Sequence, residues 1–264
     1  MEAVHALTGR ATGLWRSSKL FGAIVMLAVV IPATFSSTAF IVLMNVLMIA
    51  LGSEVGRATR FASRRHGEAM AIVALLMLIG GMFSLGMVRW SQPYGVWSLL
   101  LLAAGTFLND AGAQGIGKLC ANRLWAFSQK PMREEYDDPD SVGLSLLHLA
   151  RWCARGLAGH PFKRISPGKT WVGLVGGLAV GWIAGAGALW WLDATWDYPL
   201  SYGIALVVIT PPLAVVGDFI ESAAKRSLGI KDMSHVLGAH GGLSDRLDAI
   251  SMTAIGAAIL MLLF

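Results

Sequence analysis

The chain has 264 residues, 55% of them hydrophobic and 14% charged, with a formal net charge of +5. At a mean hydropathy of +0.62 it is too apolar for an ordinary soluble domain and reads as a membrane protein that crosses the bilayer several times. In such a chain the surplus bases mark cytoplasmic loops and anionic headgroups, which argues against nucleic acid as a partner, while two distant cysteines, Cys120 and Cys153, suggest neither a disulfide framework nor a structural zinc site.

At the N-terminus, Arg10, Arg16 and Lys19 precede an apolar stretch that continues without a small-residue cleavage site, which predicts a retained anchor. Apolar windows then predict seven membrane spans, at 20–35, 36–52, 69–88, 94–110, 171–192, 200–220 and 247–264, each near the length a helix needs to cross about 30 Å of hydrocarbon. The first two are short, and Pro32 with Ser36, Ser37 and Thr38 marks either a tight hairpin or one kinked helix. Charge favours the hairpin. Every Lys and Arg except Arg89 then falls on one side, and the opposite loop 193–199 holds Asp193 and Asp197 but no base. By the positive-inside rule the N-terminal arm and the segments 53–68, 111–170 and 221–246 are expected to be cytoplasmic.

The expected architecture is an all-α polytopic bundle. It comprises N-terminal helices in 1–110, a cytoplasmic loop with an insertion in 111–170, and a C-terminal part, 171–264, that carries the chemistry. Within the loop, "QKPMREEYDDPD" (129–140) reads as an exposed linker. Residues 141–158, which mix Leu with Arg151, Trp152 and Arg155, suit a helix at headgroup level or one packed on the bundle.

Charged residues at the ends of the last two spans are the most informative feature. An Asp at mid-span costs about 2.5 to 3.5 kcal/mol to insert and less near the interface, so Asp218 is expected to face a polar cavity. On a continuing helix Asp218, Ser222 and Lys225 share one face, although a local ion-pair patch of Asp218, Glu221 and Lys225 would have the same spacing. Asp245 and Asp248 share a face at the start of the last span, with Arg246 beside them and His240, Gly241 and Gly242 just before. Two carboxylate pairs interleaved with Lys225, Arg226, Lys231 and Asp232 suit a phosphate-bearing ligand held with a divalent cation.

Two further segments agree with that reading. In "RISPGKTWVG", Ser166 before Pro167 reads as a helix N-cap, leaving Lys169 and Thr170 to meet phosphate. The Gly-Lys-Thr is not a P-loop, because Lys163 stands where the first glycine is required. In "NDAGAQGIGK", Asn109 and Asp110 are followed by three glycines and Lys118. No strand precedes its Gly-x-Gly, so a dinucleotide site is excluded, and glycines that pack helix ends are the alternative.

Taken in order, Ser222, Lys225-Arg226, Lys231-Asp232, Ser234, Leu237-Gly238, His240-Gly241-Gly242, Asp245-Arg246 and Asp248 resemble the signature of the phosphatidate cytidylyltransferases, the CDP-diacylglycerol synthases. "ISPGKTWVG" and "NDAGAQGIGK" resemble two upstream segments of the same family, so the likeness covers about 105–264, with 119–164 as an insertion. Ala224 stands where the family usually has a larger apolar residue, and Gly238-Ala239 replaces a frequent Pro-Gly.

The resemblance implies a nucleotidyltransferase that uses CTP and phosphatidate to make CDP-diacylglycerol and pyrophosphate. It would work at the inner face of the plasma membrane, among membrane lipids, with a homodimer left open. It also implies Mg²⁺, with room for a monovalent cation, on Asp218 and Asp245. Asp248 and Asp232 would support the metal, and Lys225, Arg226, Lys231 and Arg246 would hold phosphates. Asp110, Lys118, Ser166, Lys169, Thr170, Ser222, His240, Gly241 and Gly242 would contact substrate. A CTP-dependent enzyme acting on another lipid phosphate or a lipid alcohol, and a transporter, are the alternatives.

Overall fold

The computed structural model describes residues 33–60, 68–90, 94–129, 142–161, 165–234 and 242–264. They form helices and, among the described residues, no strand: α1 (Ser37–Arg60), α2 (Glu68–Trp90), α3 (Gly95–Gln129), α4 (Val142–Ala158), α5 (Trp171–Trp196), α6 (Leu200–Leu228) and α7 (Ser244–Met261). The all-α expectation holds. By length and composition α1, α2, α3, α5 and α6 can cross a membrane, five spans among the described residues where the hydropathy windows of the whole chain predict seven. The expected span at 20–35, and with it the hairpin, lies almost wholly outside the described residues. The last expected span, α7, carries Asp245, Arg246 and Asp248 in its first turns and is too charged to qualify with the others.

Large apolar side chains such as Val46, Ile49, Leu76, Phe83, Ile183, Trp190, Ile204 and Val208 are exposed on the outside of the bundle. A soluble domain would not leave so many uncovered, and lipid is the solvent they suit.

The span expected to end at residue 110 instead continues as helix to Gln129, so most of the region read as a cytoplasmic loop is helical. At 1.5 Å per residue α3 is about 52 Å long, well beyond the roughly 30 Å of hydrocarbon. Its second half therefore projects out of the membrane core. Helix α4 lies against this projection and the start of α5. It buries Ala154 and Ala158 and leaves Leu149, Trp152 and Leu157 exposed, so it is not a helix buried in the bundle.

Glycines set how closely the helices approach. Along α5, Gly173, Gly177 and Gly181 recur every fourth residue and face α3. A Cβ at Gly177 would sit 2.7 Å from the Ala113 Cβ and 2.8 Å from the Asn109 carbonyl. Such stripes of small residues let helices approach within lipid, where burial of apolar surface gives no net drive. Gly112 and Gly117 of α3 complete the same contact against Val180 and Thr170. These two are therefore packing glycines, as one of the two readings of "NDAGAQGIGK" has it, while Gly115 meets nothing within 4 Å.

Helix α7 runs between α2 and α6. A Cβ at Gly81 would clash with Ser251 at 2.3 Å, and one at Gly217 with the Asp248 carbonyl at 2.5 Å. Small residues thus bring α2 and α6 onto α7 and place Asp218 beside Asp248. Within α6, Pro212 has no N–H for the Val208 carbonyl, and the Trp182 indole of α5 donates to that oxygen instead, at 3.1 Å.

The bundle end away from the charged segments is aromatic. Tyr94 meets Tyr198 edge-on at 5.5 Å, and Trp97 lies 4.5 Å from Trp196. This composition suits a membrane interface. Tyr198, in the link between α5 and α6, shares a 2.7 Å hydrogen bond with Ser98. Burial pushes its phenol above the ordinary value, which keeps it neutral. Arg89, the one base expected on this side, is 5% exposed and donates from Nε to the Thr34 carbonyl at 2.6 Å.

Candidate active site at the helix ends

The opposite end gathers the C-terminal turns of α1 and α6, the projecting part of α3, the turn before α5 and the first turns of α7. Together α3, the turn before α5, α6 and α7 enclose a cavity of about 1030 Å³. Asp110, Asp218, Asp245 and Asp248 line it, as do Lys118, Lys169, Lys225 and Arg246. Four carboxylates thus face four bases.

Local chemistry explains each contribution. Helix α6 stops at Gly229, in the left-handed region at φ 75°, whose N–H returns to the Arg226 carbonyl while Ile230 N–H reaches that of Lys225. Above this stop Asp218 accepts a 3.3 Å hydrogen bond from Ser222 Oγ, as their spacing of four predicts. Lys225 forms an ion pair with Glu221 on its own helix and donates to Asp245 Oδ1 of α7 at 2.5 Å. The local ion-pair patch is therefore real, but it extends across to the next helix. Asp245 is further fixed by the Gly242 N–H, which donates to its Oδ2 at 2.8 Å. Asp248, 8% exposed, accepts from the Ala249 N–H at 2.7 Å.

The turn before α5 differs from expectation. Thr170, not Ser166, is the N-cap, accepting from the Gly173 N–H at 3.2 Å. Ser166 instead opens a turn in which Lys169 N–H donates to its carbonyl at 3.3 Å, with Pro167 at the second position that its fixed φ suits. The turn delivers Lys169 to Asp218 in an ion pair, its ammonium 4.3 Å from the centre of the Phe219 ring. Ser166 itself does not line the cavity.

Arg226, Lys231 and Asp232 also stand outside the cavity lining. Arg226 donates from Nε to the Ile165 carbonyl and from Nη1 to the Ile230 carbonyl, each at 3.2 Å. It clamps the end of α6 to the turn that carries Lys169. Ser222 reaches the site only through Asp218. His240 and Gly241 lie outside the described residues.

Glu54 is the residue the motif reading missed. It sits in the last turns of α1, is 2% exposed, and points at the start of α7. Its carboxylate accepts from Ser234 Oγ at 2.8 Å, Leu243 N–H at 3.1 Å and Ser244 N–H at 3.2 Å. The signal was present, because an acid within an apolar stretch is costly and the argument that singled out Asp218 applies to it equally.

The donor set suits a hard cation: carboxylate oxygens converge on one cavity, and lysine ammoniums stand against Asp218 and Asp245 where a cation would be favoured. Among the described residues no three His, Cys, Asp or Glu side chains are grouped closely enough to hold a metal ion by themselves.

Comparison with known proteins places the chain in a family. Residues 155–264 match the model of a cytidylyltransferase family. A phosphatidate cytidylyltransferase of Brucella abortus is 30% identical over 223 residues, 79% of this chain and 75% of that protein. The chain belongs to the phosphatidate cytidylyltransferase family. Proteins of the same name from Mycobacterium leprae and Haemophilus influenzae are 41% identical over 106 residues and 36% over 90. Those matches cover 37% and 33% of this chain, and in each case it spans 31% of the relative's length. The family's matched block contains α5, α6 and α7, with Lys169, Asp218, Lys225, Asp245 and Asp248. Asp110 and Lys118 come from α3 ahead of it, so the cavity is completed from outside the block, and Glu54 of α1 supports α7 from behind. Ala224, the departure from the family pattern on α6, is fully buried.

Proposed function

We propose that this protein transfers CMP from CTP to phosphatidate, giving CDP-diacylglycerol and pyrophosphate. The carrying observation is the cavity at the helix ends, where four carboxylates and four bases meet at one end of a membrane bundle. Membership of the family, and the relatives' name, support the same reaction.

In this reading a phosphate oxygen of phosphatidate attacks the α-phosphorus of CTP, and the bond to the β-phosphate oxygen breaks as pyrophosphate leaves. A phosphate monoester, with a second pKa near 6, is already largely ionised at neutral pH and needs no general base. Positioning and charge stabilisation then dominate the rate. Lys169, Lys225, Lys118 and Arg246 hold phosphates. Thr170 and Asp110 shape the wall behind them.

Charge supports a metal requirement. Four acids cancel four bases on the wall, so a nucleotide triphosphate and a lipid phosphate arrive with no surplus positive charge to meet them. Asp218 and Asp245, with Asp248 in support, are the residues that would hold Mg²⁺ and any monovalent ion beside it. Such an ion supplies neutralisation of the triphosphate and polarisation of its phosphorus.

The asymmetry of bases supports a site on the cytoplasmic side of the plasma membrane, where a soluble nucleotide and a lipid headgroup can meet. The test is purified protein with labelled CTP, Mg²⁺ and a lipid panel containing phosphatidate, a prenyl phosphate and diacylglycerol. Pyrophosphate release with phosphatidate is expected. Release only with another lipid phosphate would move the substrate, phosphorylation of diacylglycerol would change the reaction class, and no turnover of CTP with any lipid would sink the reading.

A further inference from the structure

We infer that Glu54 is a positioning residue for the proposed transfer: from α1 it caps the N-terminus of α7 and thereby sets where Asp245 and Asp248 stand. The inference rests on the reaction proposed above, but its structural half stands on separate contacts.

A helix start leaves backbone N–H groups without intrahelical partners, and a side chain at the N-cap usually takes one of them. In α7 the N-cap position is Leu243, which has no side chain able to do so. Glu54 takes that role from another helix. Its two oxygens accept from the Leu243 N–H, the Ser244 N–H and, at 3.3 Å, the Ser244 hydroxyl. A carboxylate at this end also meets the positive pole of the helix dipole, which makes a buried acid tolerable there. The same carboxylate receives Ser234 Oγ at 2.8 Å, so it ties down the chain at 234 as well as at 243 and 244.

Gly242 shows how tightly this contact is built. A Cβ there would stand 2.0 Å from Glu54 Oε1 and 2.9 Å from Asp245 Oδ2. The two carboxylates flank one glycine, whose N–H bonds Asp245. Only a residue without a side chain lets Glu54 and Asp245 approach from both sides. A shift at Glu54 is therefore passed directly to the side chain that meets Lys225.

Glu54→Gln keeps the shape but turns an NH₂ group towards N–H donors. It should lower turnover per folded molecule roughly 10- to 100-fold while leaving the KM for CTP within about threefold, because three of the four phosphate-binding bases, Lys118, Lys169 and Lys225, stand on other elements. Amide hydrogen exchange, read on a peptide covering 242–250, should quicken in the variant and stay unchanged in α2. Gly242→Ala should reproduce both effects by pushing on the carboxylate, and Glu54→Asp should recover part of the turnover.

Full-length protein in detergent with phosphatidate micelles and CTP serves for all three variants. Unchanged turnover per folded molecule, with only the yield or melting temperature lowered, would reduce Glu54 to a packing role and overturn the inference. Unchanged exchange at 242–250 would do the same. Wild-type protein silent towards CTP would remove the reaction reading and its positioning consequence together, while the exchange result would still decide whether Glu54 caps α7.

Discussion

Lys225 on α6 and Asp245 on α7 meet at 2.5 Å, and the same ammonium also pairs with Glu221, which is wholly buried. One base therefore holds two acids from different helices. Removing it leaves both without that counter-charge, Glu221 in a fully buried position. Lys225→Met should cost about 3 to 5 kcal/mol, the range for breaking a buried pair from one side, and should abolish CTP-dependent product. Thermal unfolding in detergent and pyrophosphate release measure the two effects. A variant as stable and active as wild type would mean that the pair is incidental.

Asp218 bonds Lys169 and Ser222 but caps nothing and packs no core, so its substitution should separate chemistry from folding. Asp218→Asn should insert normally and lose roughly 10²-fold or more in turnover. If Asp218 helps hold Mg²⁺, the variant should also need more Mg²⁺ for half-maximal rate. An unaltered Mg²⁺ titration would remove this residue from the metal assignment.

Arg226 distinguishes direct phosphate contact from support. In the structure it clamps Ile165 and Ile230 and does not line the cavity. Arg226→Ala should therefore act through the turn carrying Lys169, raising the KM for CTP by roughly tenfold or less, with a small effect on kcat. A loss of kcat as deep as that of Asp218→Asn would restore it to the phosphate-binding group.

The glycine stripe of α5 makes a packing prediction. Gly177→Leu forces a side chain where even a Cβ would lie 2.7 Å from Ala113. Overpacking should cost about 1 to 3 kcal/mol and push α3 away, taking Asp110 with it. A lower melting temperature with reduced turnover is expected, and Gly187→Ala, where a Cβ meets nothing within 4 Å, should leave both unchanged.

Topology is testable without any assay of activity. Asp193 lies exposed in the final turns of α5, at the aromatic end of the bundle. A single cysteine at 193, in a background lacking Cys120 and Cys153, should react with a membrane-impermeant maleimide added outside sealed cells. One at exposed Lys231 should react only after the cells are opened. The reverse pattern would invert the orientation.

Much of this was legible in the linear chain. Hydropathy and charge belong to contiguous stretches, so the membrane class, most of the helices and the clustering of Asp218, Lys225, Asp245 and Asp248 followed from the sequence alone. So did Ser222 beside Asp218, because a spacing of four is a property of the helix itself. The end of α3 was not legible: glycines at 112, 115 and 117 suggest a break, and the fit of Gly112 and Gly117 against α5 and its N-cap keeps that stretch in a close-packed helical pair.

Tertiary structure decided which charges meet. Lys169 finds Asp218 across 49 positions, and Glu54 reaches Ser244 across 190. Nothing local favours those partners over Arg226 or Lys231, which carry the same charge nearby and turn elsewhere. For Lys169 and Asp218 the close approach of α5 to α6 at Gly181 and Gly185, against Pro211 and Val207, fixes which helix faces can touch. Charge along the chain names the candidates, and steric contact between helices chooses among them.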